Sequence, residues 1–302
     1  MKVLIIGLGS IAKKHIAALK KIGGTIEIFA LRSSKNSSVY EDVKNIFELE
    51  ELTYIKLDFV IISSPTSKHY ENIKELISLN TPLFIEKPLF HNLDVENLIS
   101  EVKNSKIKTY VACNLRFLES LNFIKNKIKN ENLKINEVTA YCGSFLPYWR
   151  ANKNYKEIYS AIPELGGGVH LDLIHEIDYI YWLFGKPINV HSILTSKSTL
   201  GIKSIDYAHY NLEYSNFNTS ITLNYFRRKP SRFLELVCEN GTYKVDLINN
   251  NVSFEDEILF ESNQKALDTY YNQLKYFIKN ISNPTFNDIE EAFEVLKICL
   301  QK

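Results

Sequence analysis

Lys2-Val3-Leu4-Ile5-Ile6-Gly7-Leu8-Gly9-Ser10-Ile11-Ala12 is an apolar, β-branched run, a glycine turn and the opening of a helix, in that order. Apolar residues then recur at helical spacing through Ile16 and Leu19, so a helix is expected over Ile11–Ile22. Outward from this unit the pattern repeats. Thr25–Leu31 reads as a second strand, Ser33–Ser38 as a loop, and Phe59–Ser63 as a buried-type strand closed by Pro65. His69–Leu79 has the spacing of an amphipathic helix. Leu83–Ile85, Leu93–Val102 and Thr109–Cys113 read as strand, helix and strand. Strands alternating with helices predict a parallel, doubly wound α/β sheet over residues 1–117. Right-handed crossovers gather the loops that follow its strands along one edge, where ligands bind.

The pattern changes in residues 118–302. A helix is expected over Leu118–Ile128, a strand over Glu137–Phe145, and one long helix over Val169–Phe184, stopped by Gly185 and Pro187. Strand-like runs follow at Val190–Leu194, Tyr207–Tyr214, Thr219–Phe226, Phe233–Glu239, Thr242–Asp246 and Asn251–Phe254. Asn240-Gly241 marks a tight hairpin. Helices at Ala266–Lys279 and Ile289–Leu300 finish the chain. This half is expected to be an α+β domain with a largely antiparallel open sheet.

The chain has 302 residues, 45% hydrophobic and 24% charged, an ordinary globular balance for two domains. A net charge of +1 gives no reason to expect nucleic acid or an anionic membrane as partner. Four scattered cysteines, without a Cys-x-x-Cys pair, fit a reducing cytoplasm better than a disulfide framework or a metal site, and no metal is expected. No apolar run approaches the roughly 20 residues of a membrane span, and no signal peptide is visible.

Gly7-Leu8-Gly9-Ser10-Ile11-Ala12 matches Gly-x-Gly-x-x-Ala after a strand and before a helix, the setting of a dinucleotide-binding turn. Gly7 permits the tight turn, Gly9 lets the backbone approach a pyrophosphate, and the amides of Ser10 and Ile11 face its phosphates. An acidic residue is expected at the end of the second strand to hold a ribose hydroxyl. The sequence there reads Ala30-Leu31-Arg32-Ser33-Ser34-Lys35. Arg32 with Ser33 suits a 2′-phosphate, which favours NADP(H), with NAD(H) as the alternative.

Further along stand Ser64-Pro65-Thr66 with His69, Glu86-Lys87-Pro88, Asn114-Leu115-Arg116-Phe117, and the segment Gly166-Gly167-Gly168 leading to Asp172, His175 and Asp178. With Gly7-x-Gly9 and His15, this order and spacing resemble the glucose–fructose oxidoreductase / inositol dehydrogenase / rhizopine-catabolism (Gfo/Idh/MocA) family. The resemblance implies a Rossmann domain, a C-terminal domain whose open sheet serves ligand binding and oligomer contacts, and NAD(P)-dependent chemistry on a sugar or cyclitol. The chain departs in one place: Asp172 and His175 are three apart, where many members have four. At helical spacing both would still share one face.

Hydride transfer needs a group to give or take a hydroxyl proton, and a lysine can stabilise an oxyanion and donate that proton. Lys87 is the expected proton donor or acceptor, His175 its partner or alternative, and Asp172 orients one of them or a substrate hydroxyl. His170 is expected to be structural. Ser64, Pro65, Thr66, His69, Glu86, Lys87 and Asn114 are expected to border the cofactor. Arg116, Tyr148, Trp149, Arg150 and His175 are the expected substrate contacts. Aromatic residues with arginine suit a charged sugar, such as a nucleotide-linked or acidic surface-glycan precursor. The expected enzyme is a cytoplasmic homodimer or homotetramer. The alternatives are a non-catalytic nucleotide sensor or scaffold on the same fold, and an imine or biliverdin-type reductase.

Overall fold

A computed structural model describes residues 1–301. The chain divides into two compact units: Met1–Cys113 with Leu267–Phe293, and Asn114–Ala266 with the stretch from Glu294 onward. The first unit carries β1 (Lys2–Ile6), α1 (Ser10–Ile22), β2 (Glu27–Leu31), β3 (Val43–Ile46), β4 (Phe59–Ile62), α2 (His69–Leu76), β5 (Leu83–Glu86), α3 (Glu96–Ser105) and β6 (Thr109–Ala112). All six strands run parallel in the order β3-β2-β1-β4-β5-β6. The strand order reverses at β1, and β1, β4 and β5 are buried almost without exception. That is why they read as continuous apolar runs rather than alternating ones.

Two details differ from the sequence expectation. β3 is short and carries Lys44 and Asn45 between its apolar ends, so no strand period announces it. α3 begins at Glu96 rather than Leu93, because the Asn92 side chain accepts from the Asp94 amide and holds that segment as a turn.

The second unit carries α4 (Glu119–Glu131), β7 (Ile135–Phe145), α5 (Val169–Asp172), α6 (His175–Phe184), β8 (Asn189–Thr195), β9 (Tyr207–Glu213), β10 (Asn218–Asn224), β11 (Phe226–Cys238), β12 (Gly241–Asp246), β13 (Asn251–Phe254) and β14 (Glu257–Glu261). They form one sheet in the order β14-β13-β12-β11-β7-β10-β9-β8, antiparallel except for the parallel pair β7 and β10. Period-two burial sends Val138, Ala140, Ile221, Leu223, Leu234 and Leu236 inward. The hairpin expected at Asn240-Gly241 forms one residue earlier, with Glu239 and Asn240 in the turn and Gly241 paired to Cys238.

The expected single helix over Val169–Phe184 is broken. Leu173 leaves helical geometry at φ −105°, ψ 30°, so α5 stops at Asp172 and α6 starts at His175. Asp172 and His175 therefore lie on different helices, and the shared-face argument drawn from their spacing does not hold.

The expected division at residues 117 and 118 also differs from the observed units. Asn114–Phe117 belongs to the second unit, and the chain returns to the first with α7 (Ala266–Lys279) and the start of α8 (Ile289–Leu300). The reason is aromatic packing. Phe277 of α7 meets Phe59, Phe84 and Tyr110 with ring centroids 5.3, 5.4 and 5.9 Å away. No described helix is long and apolar enough to cross a membrane.

Candidate active site

In the first unit, a cleft of about 580 Å³ opens at the carboxyl ends of the central strands, lined by Gly7, Leu8, Arg32, Ser33, Ser64 and Pro65 among others. The two glycines of the turn do different work. Gly7 has φ +85°, and a Cβ there would meet Ser64 Cα and N at 2.6 Å, so the β4 loop packs directly on its backbone. A Cβ at Gly9 would meet nothing within 4 Å. The backbone beside it is bare to a ligand at the N-terminus of α1. Arg32 leaves Nη1 buried with no hydrogen-bond partner among the described residues. A bare glycine backbone at a helix N-terminus and an uncommitted guanidinium nitrogen are the donor set that a dinucleotide phosphate requires, so the residues present fit that group.

The other expected cofactor residues divide. Ser10 and Ile11 stand in the first turn of α1, and Thr66 is buried in the short 3-10 turn Thr66–Lys68. Lys68 and Asn72 also line the cleft, although no motif marks them along the chain. Ser64 Oγ donates to Asn72 Oδ1 at 2.7 Å, which fixes the rim.

His69 meets backbone carbonyls on both sides of its ring. It is buried, with Nδ1 3.0 Å from the Leu89 carbonyl and Nε2 3.1 Å from the Ser64 carbonyl. Burial holds its imidazole below the usual histidine pKa, and a neutral ring donates from one nitrogen only. Its role is to tie the β4 and β5 loops together. Glu86 is also turned inward: Oε1 lies 2.5 Å from His15 Nε2, and Oε2 accepts from the Lys87 amide at 3.2 Å. The Lys87–Pro88 peptide is cis. The carboxylate thus fixes the backbone that carries Lys87.

In the second unit, Asp172 Oδ2 accepts a 2.5 Å hydrogen bond from the Tyr225 hydroxyl. Burial, and then the Asp172 charge, push the Tyr225 pKa well above its usual value, so the phenol stays a donor. Trp149 meets Tyr225 edge to face at 5.2 Å and donates Nε1–H to Ser144 Oγ at 2.9 Å. Asp172, Tyr225 and Trp149 form one contiguous group. Tyr225 was visible in the sequence only as a strand aromatic, with no signal for its carboxylate partner.

His175 is buried at the start of α6, and Asn114 is buried at the start of the 3-10 turn Asn114–Phe117. Tyr148 is exposed beside Arg228, whose Nη1 donates to its hydroxyl at 3.3 Å, and Arg150 is exposed.

Arg116 departs from its expected substrate contact. It is 1% exposed, with Nε and Nη2 bound to Asp178 at 3.0 and 2.7 Å. Its fork is committed to a buried carboxylate and holds the 3-10 turn against α6. A second such pair, Arg232 with Glu176 at 2.6 and 3.1 Å, joins α6 to β11. His170 is buried and its pKa is lowered by burial to about 4, as suits a structural residue.

Residues 1–112 match the model of an oxidoreductase family with an NAD-binding Rossmann fold, and residues 131–244 match the GFO/IDH/MocA C-terminal domain. Myo-inositol 2-dehydrogenase of Thermotoga maritima is 25% identical over 94% of this chain and 89% of its own length. Glucose-6-phosphate 3-dehydrogenase of Bacillus subtilis is 22% identical over 84% and 73%. Among solved structures, UDP-N-acetylglucosamine 3-dehydrogenase GnnA from Acidithiobacillus ferrooxidans superimposes with a TM-score of 0.80 at 19% identity, covering 100% of this chain and 96% of its own.

Proposed function

The chain belongs to the GFO/IDH/MocA oxidoreductase family, and from that premise we propose that it oxidises or reduces a ring hydroxyl or ketone of a sugar-like substrate with NADP(H). The observation that carries the cofactor half is the cleft itself. Gly9 leaves the helix N-terminus bare, and Arg32 holds an unsatisfied guanidinium nitrogen at the end of β2. Gly7, Gly9, Ser10 and Ile11 hold the pyrophosphate, and Arg32 with Ser33 holds the 2′-phosphate. Ser64, Pro65 and Thr66 form the rim. The bound nicotinamide supplies the hydride. The relatives act on a cyclitol, a hexose phosphate and a nucleotide sugar. Their common feature is a ring of secondary hydroxyls, and that is the substrate class assigned here.

Lys87 gives or takes the hydroxyl proton, with His175 as the alternative group. Asp172, held by Tyr225, accepts a hydrogen bond from a substrate hydroxyl, and Trp149 offers its ring to the apolar face of the sugar. Tyr148 and Arg150 flank it. The open sheet of the second unit is assigned to self-association as a homodimer or homotetramer, the role that the family resemblance implies. All four cysteines are buried and none forms a disulfide, which supports a reducing, cytoplasmic setting.

The test is a paired titration with NADPH and NADH. NADPH is expected to bind at least ~10-fold tighter, and Arg32→Ala to erase that difference while NADH binding stays unchanged. Tighter NADH binding by the unaltered protein would sink the assignment. Lys87→Ala is expected to lower turnover on the order of 100-fold or more at unchanged cofactor affinity.

A further inference from the structure

The opening of β11, Phe226-Arg227-Arg228-Lys229-Pro230-Ser231, is not used by the fold. Its pairing with β7 goes from Phe226 opposite Phe145 directly to Ser231 opposite Gly143. Arg227 through Pro230 therefore stand against Ser144 alone, as a wide bulge that pushes its cations out of the ladder. Pro230 has no amide hydrogen to leave unpaired there.

Both guanidinium groups are held in place by neutral partners. Arg227 donates Nε–H to the Lys229 carbonyl at 3.0 Å and Nη1–H to the Tyr141 hydroxyl at 3.3 Å, and lies 5.0 Å from that ring's centroid. Arg228 lies 4.4 Å from the Phe145 centroid and donates to the Tyr148 hydroxyl at 3.3 Å. Phe145 and Tyr148 brace each other edge to face at 4.8 Å. None of Arg227, Arg228 and Lys229 makes an ion pair among the described residues. Elsewhere Arg116 and Arg232 are matched to buried carboxylates, and Lys20, Lys44, Lys103 and Lys186 to surface ones. Three consecutive cations, two of them pre-positioned by aromatic rings, repel one another without an ion-pair partner among the described residues. Their remaining N–H donors suit a tetrahedral anion.

The bulge is continuous with the Asp172 group. Tyr225, immediately before it, bonds Asp172, and Ser144, opposite it, accepts from Trp149. Buried Tyr225 thus links the Asp172 carboxylate to Trp149 and leads directly into the bulge. We propose that the Arg227–Lys229 bulge is an anion subsite that takes a phosphate or diphosphate carried by the substrate, with Arg228 and Arg227 as its specificity-determining residues. The substrate is then a sugar phosphate ester or a nucleotide-linked sugar rather than a neutral polyol. This inference rests on the dehydrogenase reading for its purpose, but not for its binding chemistry.

The experiment is calorimetric titration with pyrophosphate and orthophosphate while saturating NADPH blocks the cofactor cleft. It is repeated without cofactor on Gly9→Ala, whose added methyl stands where a pyrophosphate would approach the N-terminus of α1. Expected are saturable binding that weakens as salt is raised, and an affinity ~10-fold or more lower in the Arg227→Ala/Arg228→Ala double variant. Lys244→Ala, an exposed cation on β12, is expected to bind as the unaltered chain does. Arg228→Gln, which keeps a polar side chain but removes the charge, guards against a folding defect in the double variant. Tighter pyrophosphate than orthophosphate identifies a diphosphate, and equal binding a single phosphate ester. The subsite is refuted if the unaltered protein binds neither anion, or if the double variant binds them equally well. If NADPH itself does not bind, the dehydrogenase reading fails, while the Gly9→Ala titrations still decide the subsite.

Discussion

The two glycines of the cofactor turn are distinguished by their surroundings rather than by the motif. At Gly7 a methyl group meets Ser64 backbone at 2.6 Å in a positive-φ conformation, so Gly7→Ala is expected to lower the melting temperature and abolish cofactor binding together. At Gly9 the methyl meets no protein atom. Gly9→Ala is expected to melt within about 2 °C of the unaltered chain while cofactor affinity drops ~10-fold or more, read by thermal melting and titration on one sample. Arg116 illustrates what a residue type alone does not convey. As an arginine just past a strand end it reads as a substrate contact, and only the fold reveals that Asp178 occupies its fork. Asp178→Ala strands that buried guanidinium and is expected to cost about 3–5 kcal/mol in urea unfolding.

Elements starting from buried apolar runs or glycine turns were legible: β1, α1, β4, β5, β6 and the Cys238–Gly241 hairpin lie within a residue or two of expectation. Elements decided by a distant partner were not. The periodicity of Val169–Phe184 is unbroken in sequence, yet the backbone leaves the helix at Leu173 and places Asp172 against Tyr225 of the β10–β11 junction. Tyr225→Phe removes the hydroxyl that donates to Asp172 Oδ2. Turnover is expected to fall on the order of 10-fold, with a stability loss of about 1 kcal/mol, measured as kcat beside urea unfolding. A fall in stability without a change in kcat would mean that the pair serves packing alone.

At the scale of the whole molecule, buried imidazoles give stability a pH dependence. His170 is held at about 4 against an ordinary 6.5, and His69 is lowered as well, both by burial. As pH falls below 6.5 the unfolded chain takes up protons that the folded chain refuses. The contribution of these groups is therefore fully present above about pH 6.5 and lost progressively toward pH 4. His170→Gln is expected to flatten that part of the melting-temperature profile, by on the order of 3 kcal/mol across the range for His170. An unchanged slope in the variant would assign the acid lability to carboxylates. By itself the sequence determined the two-part architecture, the parallel sheet and the cofactor turn. Those depend on short-range rules: apolar runs fill a sheet covered on both faces, and a glycine turn joins strand to helix. Tertiary structure alone decided that α7 returns to the first unit, that His69, Glu86 and Arg116 bond to protein groups, and that Arg227 and Arg228 rest on the Tyr141 and Phe145 rings. Each of those outcomes depends on which distant side chain meets a charge or a ring, and spacing along one chain carries no such information.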